Sequence, residues 1–280
     1  MLNSRQLDEL LFHALEEDIG HGDITTQATV AADRWAKGKF LAKADGVVCG
    51  LLLVQRVFAL LDPQIQFSPR VKEGEKISKG TVLAEISGPA CSILTGERVA
   101  LNFLQHLSGI ATQTRAAVEQ VAGTKTKIVD TRKTTPGLRL VEKYAVRVGG
   151  AMNHRYNLAD GVLIKDNHIA AAGGISQAIA SVRNQVPHIM KIEIEVENLL
   201  QLTEALQAGA DVILLDNMSA EEMAKAVQMV DSRALTEASG NMGEKDLREI
   251  AGTGVDFISI GALTHTVKAL DISLRFVNES

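Results

Sequence analysis

Apolar and polar positions follow two different rhythms along this chain. Early on, Leu7, Leu10, Leu11, Ala14 and Leu15 recur at helical spacing and predict an amphipathic helix. The stretch EEDIGHGDITT that follows is rich in Gly and Thr and reads as a loop. Next come two strand-like stretches, AKGKFLAKADGVVCG and QIQFSPRVKEGEKISKGTVLAEISG, the second broken by the turn signals KEGE and SKG. LLLVQRVFALLD, between them, is a predicted helix. Residues 1–106 therefore read as an α+β unit built on an antiparallel sheet.

After the mostly helical GERVALNFLQHLSGIATQTRAAVEQVAG the rhythm changes. Apolar, β-branched runs now alternate with helical stretches. Strands are expected at KIVDT (127–131), GVLIKD (161–166), KIEIEVE (191–197), VILLD (212–216), ALTEAS (234–239) and FISIG (257–261). Their starts recur at about twenty residues, as in repeated βα units. The cores of these runs read as apolar on both faces, the habit of parallel strands. A doubly wound sheet and a barrel both fit such a series. No GxGxxG opens the first βα turn, so a barrel short of eight strands is preferred.

Composition narrows the function. The 280 residues are 46% hydrophobic and 22% charged, enough for a substantial core. A formal net charge of -5 gives no support to nucleic-acid binding. No apolar run approaches the roughly 18 residues of a membrane span. The start, MLNSRQLDELLFHALEED, lacks the cationic and apolar regions of a secretory signal, so a cytoplasmic protein is expected. Cys49 and Cys91 are too few for a disulfide framework and read as small core residues.

In an α/β barrel the chemistry sits at the C-terminal ends of the strands. Those ends read Asp130-Thr131-Arg132-Lys133, Lys165-Asp166-Asn167-His168, Glu195, Asp216-Asn217, Glu237-Ala238-Ser239-Gly240 and Ser259-Ile260-Gly261. Nearly all are polar, which is a pocket signal. The charge is also segregated. Arg132 to Lys165 carries seven Arg or Lys against two Asp or Glu, and Lys191 to Asp256 carries fourteen acids against five bases. Most of those acids belong on exposed helices; Glu195 and Asp216 stand apart because they end apolar strands. Fixed Arg and Lys groups bind carboxylates and phosphates. Carboxylates on neighbouring strands hold Mg²⁺ through water. The small residues at Ser239-Gly240-Asn241 and Gly261-Ala262 suit a phosphate held by backbone N–H groups, although Gly240 and Gly261 also fit as plain turn glycines.

The segments DTRKTTPGLR, GGAMNHRYNLADGVLIKDNHI, EIEVEN, ILLDNM, LTEASGNM and DFISIGALTHT closely resemble the quinolinate phosphoribosyltransferase family. The likeness extends to EEDIGHGDITT and LTGERVALNFLQHLSGIAT, and so spans nearly the whole chain. The resemblance implies a type II phosphoribosyltransferase: an N-terminal α/β sandwich (1–106, joined by 266–280) and an incomplete, about seven-stranded α/β barrel (107–265). The missing seventh strand is expected near 145–150, AVRVG. The implied reaction joins quinolinate to 5-phosphoribosyl-1-pyrophosphate with Mg²⁺, giving nicotinate mononucleotide, pyrophosphate and CO₂ in NAD biosynthesis.

The resemblance also implies roles. Arg132, with Thr131 beside it, His154, Arg155 and Lys165 would meet the quinolinate carboxylates. Lys133 would lie between base and pyrophosphate. On chemical grounds, separate from the resemblance, Lys165 is a candidate to protonate the decarboxylated carbon. Arg98 would reach across the interface of a homodimer or larger assembly. Glu195 and Asp216 would hold the ribose hydroxyls and the Mg²⁺-pyrophosphate. Ser239, Gly240, Asn241, Ile260, Gly261 and Ala262 would bind the 5-phosphate. Three rivals stand beside this reading: a nicotinate-using relative, a Schiff-base aldolase built on Lys165, and a carrier-like module prompted by VKEGEKISKGTVLAEISG.

Overall fold

In the computed structural model, residues 4–277 are described. The chain divides into two compact units, one of Met1–Arg115, Thr135–Gly150 and Thr266–Ser280, the other of Ala116–Thr134 and Ala151–His265. In chain order the strands are β1 (Trp35–Ala42), β2 (Gly46–Val47), β3 (Gln66–Pro69), β4 (Lys76–Ile77), β5 (Val82–Pro89) and β6 (Lys127–Val129). They continue with β7 (Val162–Ile164), β8 (Ile192–Val196), β9 (Val212–Asp216), β10 (Leu235–Ser239), β11 (Phe257–Ser259) and β12 (Ile272–Phe276).

The first unit holds a four-stranded antiparallel sheet in the order β12-β1-β5-β3, and a small β2-β4 pair. Alternation places Phe40 and Ala42 of β1 in the core. Phe40 meets Phe58 and Phe67 edge to face, with ring centroids 6.3 and 5.8 Å apart. Phe58 belongs to the helix Leu51–Leu61, which buries Leu51, Leu53, Val54 and Val57 on the same side. That helix starts after Gly50, whose φ of 111° suits glycine, and the Glu73 carboxylate accepts the Gly50 and Leu52 N–H groups.

Two local expectations are corrected here. EEDIGHGDITT is not all loop: Ile24–Thr29 is helical, because the Asp23 side chain accepts the Thr26 N–H at 2.9 Å and caps it. The stretch around 145–150 is not a strand but the end of the helix Arg139–Gly149. Val141, Ala145, Val146 and Gly149 are buried at helical spacing, and a Cβ on Gly149 would come within 2.8 Å of the Ala111 carbonyl. Cys49 is buried as expected, whereas Cys91 is only half-buried.

The second unit is a six-stranded parallel sheet in the order β6-β11-β10-β9-β8-β7. Helices Ile175–Gln185, Leu199–Gln207, Ala220–Val230 and Leu247–Gly252 connect its strands. Their N-termini carry sequence-encoded caps: Asn198, Ser219 with Glu222, and Asp246. Beyond β6 the sheet gains one parallel bridge, Val129 to Met152, with the Met152 N–H donating to the Ile128 carbonyl at 2.9 Å. The seventh strand is thus reduced to a single residue, and no ladder joins it to β7. The barrel is incomplete.

Two strands depart from the expected two-sided apolar pattern: β10 buries Thr236 and Glu237 within its run. In β8, Ile192, Ile194 and Val196 alternate with Glu193 and Glu195, which share the opposite face.

Candidate active site

The C-terminal ends of the parallel strands line a cavity of about 580 Å³. The segment after β6 contributes Thr131, Arg132 and Lys133, and the segment after the Met152 bridge contributes His154 and Arg155. Leu163 and Lys165 come from β7 and its end, and Glu195 from β8. From β9 to β11 the wall is Leu214, Asp216 and Asn217, then Glu237, Ser239, Gly240 and Asn241, then Ser259. Eleven of the residues expected from the sequence therefore line one cavity. Of the rest, Ile260 is buried, Gly261 and Ala262 lie just outside the lining, and Arg98 is exposed on the helix Ala90–Gln120.

Asp130 organises the cationic side. Fully buried at the end of β6, it accepts the His154 backbone N–H at 2.8 Å and the Asn153 amide at 2.6 Å. This ties the loop after the Met152 bridge to the end of β6. The His154 ring then accepts the Arg155 N–H on Nδ1 at 2.7 Å and meets Glu193 Oε2 through Nε2 at 3.0 Å. Arg155 donates to the Gly161 carbonyl at 2.9 Å. Burial lowers the Arg155 pKa, and the neighbouring Arg132 charge lowers it further. Lys165 pairs with the Glu195 carboxylate, which is 14% exposed on its side chain. At the next strand end, the Thr264 hydroxyl holds the Lys133 carbonyl at 2.8 Å, leaving the exposed Lys133 side chain on the cavity wall.

Two carboxyl groups in the barrel interior went unrecognised as site residues. Glu193 and Glu237 are 7% and 4% exposed, and Oε1 of each has no hydrogen-bond partner among the described residues. Burial, and then the charge of Glu193, push the Glu237 pKa up to about 7; His154, Ser259 and Lys165 act the other way. Glu193 was legible in principle, since IEIEV puts it two residues before Glu195 on one strand face. His154, Glu193 and Glu237 offer ligand atoms within 4.8 Å of one another. A metal ion among them would face the Arg155 and Lys165 charges that already act on these carboxylates. The set reads as a proton and hydrogen-bond cluster.

The far wall is built differently. Asp216 accepts from the Asn217 side chain at 2.6 Å, and Asn217 and Asn241 adopt left-handed backbone with φ of 55° and 50°. Gly240 has φ of 98°, and a Cβ there would stand 2.8 Å from the Asn217 nitrogen. Only glycine lets these two loops approach so closely. Across the cavity, hard carboxylate oxygens on neighbouring strands at Glu195 and Asp216 have the donor chemistry Mg²⁺ takes.

Residues 110–275 match the family described as quinolinate phosphoribosyl transferase, C-terminal domain, and residues 23–108 match its N-terminal domain. The chain is 47% identical over 273 residues to the probable nicotinate-nucleotide pyrophosphorylase [carboxylating] of Bacillus subtilis, covering 98% of this chain and 94% of the relative. Its structure resembles that of NadC from Streptococcus pyogenes, with a TM-score of 0.94, 45% identity and 99% of both chains covered. It also resembles the nicotinate-nucleotide pyrophosphorylase of Francisella tularensis, with a TM-score of 0.95, 40% identity, and 99% and 98% covered.

Proposed function

Because the chain belongs to the quinolinate phosphoribosyltransferase family, we propose that it transfers phosphoribosyl from 5-phosphoribosyl-1-pyrophosphate to quinolinate, with loss of CO₂. The product is nicotinate mononucleotide, a precursor in NAD biosynthesis. One observation carries this reading: Arg132, Arg155 and Lys165 gather with His154, Glu195 and Asp216 around a single cavity at the C-terminal ends of the strands.

The chemistry follows from that grouping. Quinolinate carries two carboxylates on neighbouring carbons. Taking a dianion out of water is costly unless fixed cations replace its hydration. Arg132 and Arg155 offer planar forks, and Lys165 a point charge. Lys165 holds a carboxylate of the protein itself, that of Glu195. A substrate carboxylate at Lys165 would take its place and leave Glu195 to the ribose hydroxyls. Positive charge develops on the ribose as pyrophosphate departs, and Glu195 and Asp216 stabilise it electrostatically from fixed positions. When bound, Mg²⁺ supplies positive charge to the leaving pyrophosphate; Glu195 and Asp216 would hold it through water. Lys133 lines the same cavity and would meet the same leaving group.

The pyridine nitrogen attacks the anomeric carbon. The resulting pyridinium makes loss of the adjacent carboxylate easier, and Lys165 would help protonate that carbon. Ser239, Gly240 and Asn241, with Ile260, Gly261 and Ala262, would receive the 5-phosphate through backbone N–H groups. Arg98 would complete a neighbouring subunit's site, which makes the working form a homodimer or larger. A cytoplasmic location is part of the same proposal; no helix among the described residues is long and apolar enough to cross a membrane.

The test is turnover. With quinolinate, donor and Mg²⁺ the protein should form nicotinate mononucleotide and CO₂ in equal amounts. Turnover of nicotinate in place of quinolinate, without CO₂, would overturn the assignment.

A further inference from the structure

We propose that Glu193 is a positioning residue for the acceptor end of the cavity: it orients the His154 ring, and the ring holds the main chain of Arg155. This rests on the functional reading above. Three contacts carry it. Glu193 Oε2 lies 3.0 Å from His154 Nε2. His154 Nδ1 accepts the Arg155 N–H at 2.7 Å. Asp130 holds the His154 N–H at 2.8 Å, so backbone and ring are fixed independently.

The contacts set the tautomer. A ring nitrogen that accepts a backbone N–H carries no hydrogen of its own. Nδ1 is therefore bare, and the ring hydrogen sits on Nε2, where Glu193 accepts it. Without Glu193 that hydrogen loses its 3.0 Å acceptor, and the Glu237 carboxylate, 3.9 Å from Nε2, is too far to replace it unless the ring turns or changes tautomer. Either change withdraws the acceptor from the Arg155 N–H, next to a guanidinium already directed by the Gly161 carbonyl. Arg155 is the residue that pays, and it lines the cavity.

Packing alone gives no reason for Glu193. It is 7% exposed, and its Oε1 has no hydrogen-bond partner among the described residues. A buried carboxylate half-satisfied in this way costs stability that a leucine at the same strand position would not. The charged and titratable groups facing it are His154 and Arg155 from the loop after the Met152 bridge and Glu237 from β10.

The experiment compares Glu193→Ala with Glu193→Gln in steady-state kinetics, alongside the ¹⁵N resonances of the His154 ring in the unliganded wild type. Gln keeps an acceptor oxygen for Nε2–H, and Ala does not. Glu193→Ala should raise KM for quinolinate by about tenfold or more and leave KM for the phosphoribosyl donor within about twofold, and Glu193→Gln should recover most of the loss. Equal shifts in both KM values, no shift in either, or a Gln variant as impaired as Ala would overturn the proposal. Should Glu193→Ala fail to fold, the Gln variant and the wild-type spectrum still decide. At neutral pH the His154 resonance, identified by its absence in His154→Asn, should show a bare Nδ1 and a protonated Nε2. The opposite tautomer contradicts the relay. If wild-type protein turns over no quinolinate, the functional reading fails, while the spectrum judges the relay on its own.

Discussion

The two ends of the barrel strands are both rich in charge, and they use it in opposite ways. At the N-terminal ends, Asp256 accepts the Thr236 N–H at 2.9 Å, the Thr236 hydroxyl at 3.0 Å and the Lys125 ammonium at 2.8 Å. Asp211 likewise accepts the Ile192 N–H at 2.8 Å and the Arg183 guanidinium at 2.9 Å. These carboxylates stitch one strand start to the next. Inside the barrel, Glu193 and Glu237 keep oxygens without hydrogen-bond partners among the described residues, and at the C-terminal ends Arg155 has its pKa depressed by burial and by Arg132. Charges that satisfy each other build a fold. Charges held short of satisfaction mark the side of the barrel on which the cavity opens.

Substitutions should separate the two ends. The largest effect is expected from Asp216→Ala, which removes a carboxylate from the cavity lining at the C-terminal ends. Its kcat/KM should fall by about a thousandfold, with unfolding free energy no lower than wild type. A stability loss in proportion to the activity loss would blur the distinction.

Glu237→Gln should act on stability through pH. The folded pKa of about 7 lies above the ordinary glutamate value of 4.5. The folded state therefore binds the proton more tightly than the unfolded chain does. Its contribution is fully present below the unfolded value and is lost as pH rises towards the folded one. Gln carries no such proton. The variant should gain on wild type between pH 5 and pH 8, by on the order of 3 kcal/mol at most. Urea unfolding at the two pH values reads this directly, and a pH-independent difference would contradict it.

Asp256→Ala should do the reverse at the lower end. Losing the acceptor for the Thr236 N–H and hydroxyl should cost about 1–2 kcal/mol of stability and leave kcat/KM near wild type. A fall in activity greater than the fall in folded fraction would show that the lower end also shapes the site.

Much of this was legible before any coordinates. The strands β8 to β11 stand within two residues of their expected bounds, because each is a β-prone run bounded by turn and cap residues, even where β8 and β10 carry glutamates within it. The polar residues closing those runs gave the cavity wall. What misled was local. AVRVG looks β-prone from its valines, yet tertiary packing at helical spacing against the helix Ala90–Gln120 decides otherwise. ITTQAT looked like loop because threonine is a poor helix former, although Asp23 ahead of it was a usable cap signal. Glu193 carries no strand-end signal, because it lies inside the β8 run, where IEIEV reads as apolar unless its period-two alternation is weighed. A single-residue seventh strand at Met152 leaves no pattern for periodicity to find.

The central claim is that the cationic wall exists to receive two adjacent carboxylates. Calorimetric titration of the ligand-free protein tests it most directly, with quinolinate and nicotinate run in parallel on wild type and on Arg132→Ala. Wild type should prefer quinolinate by about a hundredfold, since a second carboxylate meets a second cation, and Arg132→Ala should lose most of that preference. Equal affinity for the two acids, or a preference that survives Arg132→Ala intact, would contradict the account.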